Sequence, residues 1–143
     1  MKKFVSVLLA GTMLASLSLG SASTVMADEG DVRVAMITDY GDITDQSFNQ
    51  TTYEACKAFC EDKGLDFTYK KPASDADADR ESSMEEAIEE GYNVVVMPGY
   101  AFAQAIVDTA DMYPDVMFIA LDVSEYDLDT ANGGSTYSEP NVY

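Results

Sequence analysis

Val32–Asn49 reads VRVAMITDYGDITDQSFN, and the change of pattern within it decides the fold. Val32–Ile37 is short, β-branched and apolar apart from Arg33, as expected of a strand covered on both faces. Thr38, Asp39, Tyr40 and Gly41 then interrupt it with turn formers. From about Gln46 to Lys63 the period becomes helical: Phe48, Ala55, Cys56, Phe59 and Cys60 fall largely on one stripe, Thr44 or Asp45 is available as N-cap, and Gly64 stops the run. A buried strand passing straight into a helix is the start of a parallel strand–helix unit.

The same alternation continues. Phe67–Lys70 reads as a second strand. Asp79–Glu90 is a second helix with Met84, Ala87 and Ile88 on one stripe, acids in its first turn and Gly91 at its end. Asn93–Met97 (NVVVM) is a third strand stopped by Pro98 and Gly99, Ala101–Tyr113 a helix carrying Phe102, Ala105, Ile106 and Ala110, and Val116–Leu121 a fourth strand. Short connections between such units predict an α/β fold, a doubly wound parallel sheet with right-handed crossovers. Ligands of that architecture bind outside the carboxyl ends of the strands. Three loops therefore qualify: Thr38–Asn49, Pro98–Phe102 and Leu121–Asp127.

Charge narrows the chemistry. The 143 residues carry 26 acidic and 8 basic side chains and no histidine, a net charge of −18. So negative a surface repels nucleic acids and anionic lipid over about a Debye length, roughly 8 Å at physiological salt. Without histidine there is no Ser/His/Asp triad, no Cys/His dyad and no His-containing zinc site. No cofactor is called for. The 47% apolar and 10% aromatic content is ordinary for a globular chain, which argues against global disorder.

Residues 1–27 read as a secretory signal: Lys2 and Lys3, an apolar run from Phe4 to Gly20, and Val25-Met26-Ala27 with small residues where a signal peptidase needs them. A transmembrane anchor is the competing reading, but Ser6, Gly11, Thr12, Ser16 and Ser18 interrupt the run. Cleavage removes two lysines and no acid, leaving 6 basic and 26 acidic groups on 116 residues, a net charge of −20. The expected organisation is a signal over 1–27, a partial lobe of a solute-binding domain over 28–124, and a mobile loop or tail over 125–143 leading to a missing fifth strand.

The loop after the first strand has one glycine and three carboxylates, and neither G-x-G-x-x-G nor the P-loop pattern occurs in the chain. Nucleotide phosphates would be repelled there. A response regulator needs an aspartate at the end of the third strand, where Pro98 and Gly99 stand. What the loop does offer is Asp39, an acceptor for ligand N–H or O–H groups, and Phe48, an aromatic face near the start of a helix. Together they suit a flat, neutral, polyhydroxylated ligand.

Val34–Ala55 (VAMITDYGDITDQSFNQTTYEA), Glu89–Ile106 (EEGYNVVVMPGYAFAQAI) and Met117–Asp122 (MFIALD) together resemble the basic membrane protein family of bacterial solute receptors. Those receptors are purine-nucleoside-binding components of ABC importers with the type I periplasmic-binding fold, and they are not enzymes. The resemblance implies that Asp39 hydrogen-bonds the nucleoside and that Phe48 stacks on the purine, an interaction worth about 1–3 kcal/mol per base. It further implies that Asn49 meets a base edge, that Gly99, Tyr100 and the turn to Phe102 line the pocket, and that Asp122 holds a ribose hydroxyl or a base N–H. The implied partners are a small-molecule nucleoside and ABC permease subunits in the membrane. The implied location is the periplasm or the outer face of the plasma membrane.

Two departures stand against the resemblance. Family members usually carry a lipid on a cysteine at the end of the signal, and no cysteine precedes Cys56. They are also much longer and clamp the ligand between two lobes, so weak nucleoside binding and marginal folding are expected of this chain alone. Bland readings compete with the functional ones: Phe48 as core, Asp39 as turn former, Asp122 as the start of a solvated loop, Tyr100 and Phe102 as core or rim. Asp75, Asp77, Asp79 and Glu86 have the spacing of a calcium loop, but Arg80 replaces its glycine, which favours an acidic helix start. Cys56 and Cys60, four apart on a helix, are expected as free thiols. The alternatives are a sugar or autoinducer receptor of the same fold and, from another class, an exported hydrolase pairing Asp39 with Asp42 or Asp45.

Overall fold

The computed structural model describes residues 32–143; the expected signal over 1–27 lies outside the described residues. Its strands are β1 (Arg33–Ile37), β2 (Asp66–Lys70), β3 (Val94–Pro98) and β4 (Met117–Leu121), and its helices are α1 (Phe48–Lys63), α2 (Asp77–Glu89), α3 (Ala103–Thr109) and α4 (Glu125–Ala131). All strand pairs are parallel, in the order β2-β1-β3-β4. The sequence-derived elements recur with their ends shifted by one or two residues, except the third helix. That helix is confined to Ala103–Thr109 and flanked by 3-10 turns at Tyr100–Phe102 and Ala110–Met112.

The alternation of strand side chains divides the core in two. Ala35, Ile37, Val95, Met97 and Phe118 face α2 and α3, packing with Met84, Ala87, Phe102, Ala105 and Ile106. Val34, Met36 and Val96 point the other way, where Cys60 of α1 is buried with them. Right-handed crossovers account for this split. The steps from β2 across β1 to β3 and from β3 to β4 advance in one direction across the sheet and put α2 and α3 on one side, with α4 packed next to α3. The step from β1 to β2 runs in the opposite direction and puts α1 on the other side. Helix α1 cannot cover that whole face. Val94, Ile119 and Leu121 stay half-buried in an apolar groove shared with Cys56 and Phe59, and Phe59 is 53% exposed.

Residues 125–143, expected as a loop or tail, hold helix α4 and a chain end bonded to the rest of the sheet. Ser124 caps α4 through a capping box in which its hydroxyl accepts from the Asp127 N–H while its own N–H donates to the Asp127 carboxylate at 2.9 Å. Asn141 is buried, and its Nδ2 donates within 3.1 Å to the carbonyls of Ala110, Tyr113 and Val116. The last residues add to the sheet beside β4: Phe118 N–H donates to Asn141 O at 2.8 Å, and Tyr143 N–H to Phe118 O at 2.9 Å. This parallel bridge between Phe118 and Val142 lies where the chain is expected to enter a fifth strand.

Candidate functional site

Because the sheet is parallel, the loops after β1, β3 and β4 emerge along one edge. Gly99 N–H donates to Leu121 O at 2.7 Å and ties the last two together. Asp39 follows the buried Thr38 at the end of β1. Its carboxylate is held through one oxygen: Oδ1 accepts from Gly41 N–H at 2.7 Å and from Asn49 Nδ2 at 2.8 Å. Oδ2 has no partner among the described residues and is left as a fixed acceptor.

Asn49 is only 3% exposed, and its amide is fully committed. Oδ1 accepts from Asp39 N–H at 3.1 Å, while Nδ2 donates both to Asp39 Oδ1 and, at 3.0 Å, to Asp45 Oδ2. With its carbonyl and both N–H groups bonded inside the loop, Asn49 braces Asp39. Gly41 is required by the same packing. A Cβ there would collide with Asn49 Nδ2 and lie 3.1 Å from Asp39 Oδ1.

The entry to α1 differs from the capping read in the sequence. Ser47 is the N-cap residue and makes no side-chain cap bond. Thr44 donates to Asp42 instead, and Asp45 Oδ1 accepts the N–H groups of Ser47 at 2.8 Å and Gln50 at 3.3 Å. Hydrogen bonds from Ser47 and then Asn49 hold the Asp45 carboxyl down at about 2. The helix therefore starts at Phe48, whose ring is 43% exposed and belongs to neither core cluster, so the core reading of this residue is excluded.

After β3, Gly99 has φ +115 and Tyr100 is 70% exposed on the rim, while Phe102 is wholly buried. After β4, Asp122 is exposed, has φ +58 and makes no hydrogen bond among the described residues. Tyr100, Asp122, Val123, Ser124 and Asp127 line a shallow, open hollow of about 390 Å³. Among the described residues the non-glycine positive φ values fall at Tyr40, Gln46 and Asp122, all in these loops. Such concentration of strained backbone is common at functional sites.

Sequence reasoning missed Arg80. It is 6% exposed; its Nε donates to Asp39 O at 3.0 Å, its Nη1 to Asp77 Oδ1 at 3.1 Å, and its guanidinium carbon lies 5.8 Å from the Phe102 ring centre. It thus joins the loops after β1 and β3 to the start of α2. Arginine spaced as a helix-surface charge carries no sequence signal of burial. The calcium-loop spacing dissolves in the same region, since Asp77 and Asp79 stand on α2, bonded to Arg80 and Ser74 respectively. Among the described residues no three His, Cys, Asp or Glu side chains are grouped to hold a metal ion.

The Bmp family, ABC transporter substrate-binding proteins of the PnrA-like kind, matches residues 32–136. The chain belongs to this family. It is 32% identical over 104 residues to a CD4+ T-cell-stimulating antigen of Listeria monocytogenes, a match covering 69% of this chain and 29% of that one. The fold is that of an ABC transporter solute-binding protein from Aeropyrum pernix K1 (TM-score 0.62, 21% identity, 78% of this chain and 27% of that one). It is also that of one from Conexibacter woesei (TM-score 0.61, 25% identity, 78% and 33%). The chain spans less than a third of the length of the curated Listeria relative it matches.

Proposed function

We propose that this chain is part of the binding component of an ABC importer and that its edge receives a purine nucleoside. The observation that carries the reading is the Asp39 carboxylate, anchored by Gly41 and Asn49 through one oxygen with the other free, in a loop that also presents the half-exposed ring of Phe48. In this reading Oδ2 of Asp39 accepts an N–H or O–H of the ligand and Phe48 stacks on the base. Asp122 takes a hydroxyl, and Gly99 and Tyr100 form the rim. A fixed anionic acceptor discriminates sharply against analogues lacking the donor, because desolvating it unpaired is costly. Membership of a solute-binding family, and the excess of negative charge on the chain, support an exported receptor that hands a neutral ligand to permease subunits. Asn49 enters as the brace of Asp39 and not as a ligand contact.

Family membership speaks for binding without turnover. A glycosidase acid needs a carboxyl that stays protonated near neutral pH, a role closed to Asp45, which is held at about 2. The test of the nucleoside reading is an NMR titration of the chain with inosine, guanosine, ribose and glucose. Shifts at Asp39, Gly41 and Phe48 with the nucleosides, lost in Asp39→Asn, are expected; shifts with glucose alone would overturn the ligand class. Binding by one lobe is expected to be weak, because the opposing wall of the clamp is contributed by the rest of the longer relatives.

A further inference from the structure

Arg80 is a buried charge in a place that is unfavourable on three counts. It sits in the first turn of α2, where the positive end of the helix dipole opposes a cation. Its guanidinium is removed from water, which costs free energy unless its donors are satisfied. It also packs against the fully buried Phe102, a position an aliphatic side chain would fill without a charge. What the guanidinium does there is grip one peptide group. Nε donates to Asp39 O at 3.0 Å, and Nη1, bonded to Asp77 Oδ1 at 3.1 Å, fixes the plane of the fork. The gripped peptide joins Asp39 to Tyr40, the residue with φ +145. It is therefore the point at which the chain leaves β1 in an unusual conformation and turns back so that Gly41 N–H reaches Asp39 Oδ1.

We propose that Arg80 is a positioning residue of the ligand site, clamping the Asp39–Tyr40 peptide from α2 and so setting the direction in which the free oxygen of Asp39 points. This rests on Asp39 as the ligand acceptor, but its first consequence needs no ligand. Two faces of the same residue are held independently: Asn49 braces the N–H and the carboxylate, Arg80 the carbonyl. Losing Arg80 frees the peptide to rotate even while Asn49 stays in place.

The experiment compares the wild-type chain with Arg80→Ala, Arg80→Lys and Asp77→Asn by amide NMR, with and without methylguanidinium, and then with inosine. In Arg80→Ala the Gly41 amide resonance is expected to move toward that of a water-exposed amide, and methylguanidinium to return it part of the way. Inosine affinity is expected to fall about tenfold, the loss of one well-directed bond to a charged acceptor, and to recover with the same additive. Should Arg80→Ala fail to fold, Arg80→Lys, which keeps a cation but not the fork, and Asp77→Asn, which removes the charge that holds the fork, are expected to shift Gly41 in the same direction by smaller amounts. A folded Arg80 variant with an unmoved Gly41 amide, or an affinity that falls only as the folded fraction falls, would overturn the proposal. If the wild-type chain shows no inosine shifts, the nucleoside reading fails, and the Gly41 resonance still decides the role of Arg80.

Discussion

Replacing Asn49 by alanine tests the loop as an energetic unit. The change removes two bonds to Asp39, one from its N–H at 3.1 Å and one to its Oδ1 at 2.8 Å, and a third to Oδ2 of the exposed Asp45 at 3.0 Å, which water can replace. A neutral bond contributes about 1 kcal/mol net and a charge-assisted one about 1.5–3 kcal/mol, so the pair is worth about 2–4 kcal/mol. Asp39 and Gly41 are half-exposed, so water can reach the freed groups and offsets part of the loss. The expected cost is therefore in the lower half of that range, about 2–3 kcal/mol, which for a unit of this size lowers Tm by about 10 °C or more. Urea unfolding followed by circular dichroism measures it, and an unchanged m value shows that the native state alone was altered. Asn49→Asp places a third carboxylate against Asp39 and Asp45, so it is expected to destabilise more at neutral pH and to recover as pH falls and one carboxyl regains a donor proton. A cost for Asn49→Ala below about 0.5 kcal/mol, the level of an ordinary surface substitution, would refute the network as a stabilising element.

Other substitutions and titrations probe the same structure. Gly41→Ala is expected to destabilise by about 1–3 kcal/mol in urea unfolding, as overpacking does, because its Cβ meets Asn49 Nδ2. Asp45 has a folded pKa of about 2 against an ordinary 3.8. Since the folded value is the depressed one, its contribution is complete above pH 3.8 and is lost as pH falls toward 2, and carboxyl NMR should show the Asp45 resonance titrating at about 2. Burial pushes the Cys56 thiol up to about 11, so its alkylation at pH 8 should be far slower than that of a free thiol, and mass spectrometry should find no bond between Cys56 and Cys60. Ile119→Lys, on the uncovered face of β4, is expected to reduce the binding of a hydrophobic dye, measured by fluorescence; unchanged fluorescence would place the dye-binding surface elsewhere.

Periodicity was enough for β1 to β4 and for α1 and α2, because each buries a continuous apolar run or stripe that no other arrangement would hide. Helix α4 escaped it. Glu125–Ala131 (EYDLDTA) has no apolar stripe and is held by its capping box and by Leu128 against the core. Ser124 followed by Asp127 was the available signal, weak because aspartate stands where the usual box has glutamate. Asn141 likewise reads as a polar tail residue and turns out to be a buried clamp on three carbonyls.

At the candidate site the sequence alone determined which loops share an edge and that Asp39 and Phe48 lie on the first of them, because parallel strands joined by right-handed crossovers leave no other edge for those loops. Tertiary structure decided what each side chain does there. Asn49 is bonded inside the loop, and Arg80, which the pattern of the sequence did not single out, is bonded to the Asp39 carbonyl. The cause is the same for both: a polar side chain declares its partner only when another segment brings one within 3 Å or so of it, and spacing along the chain does not encode that meeting.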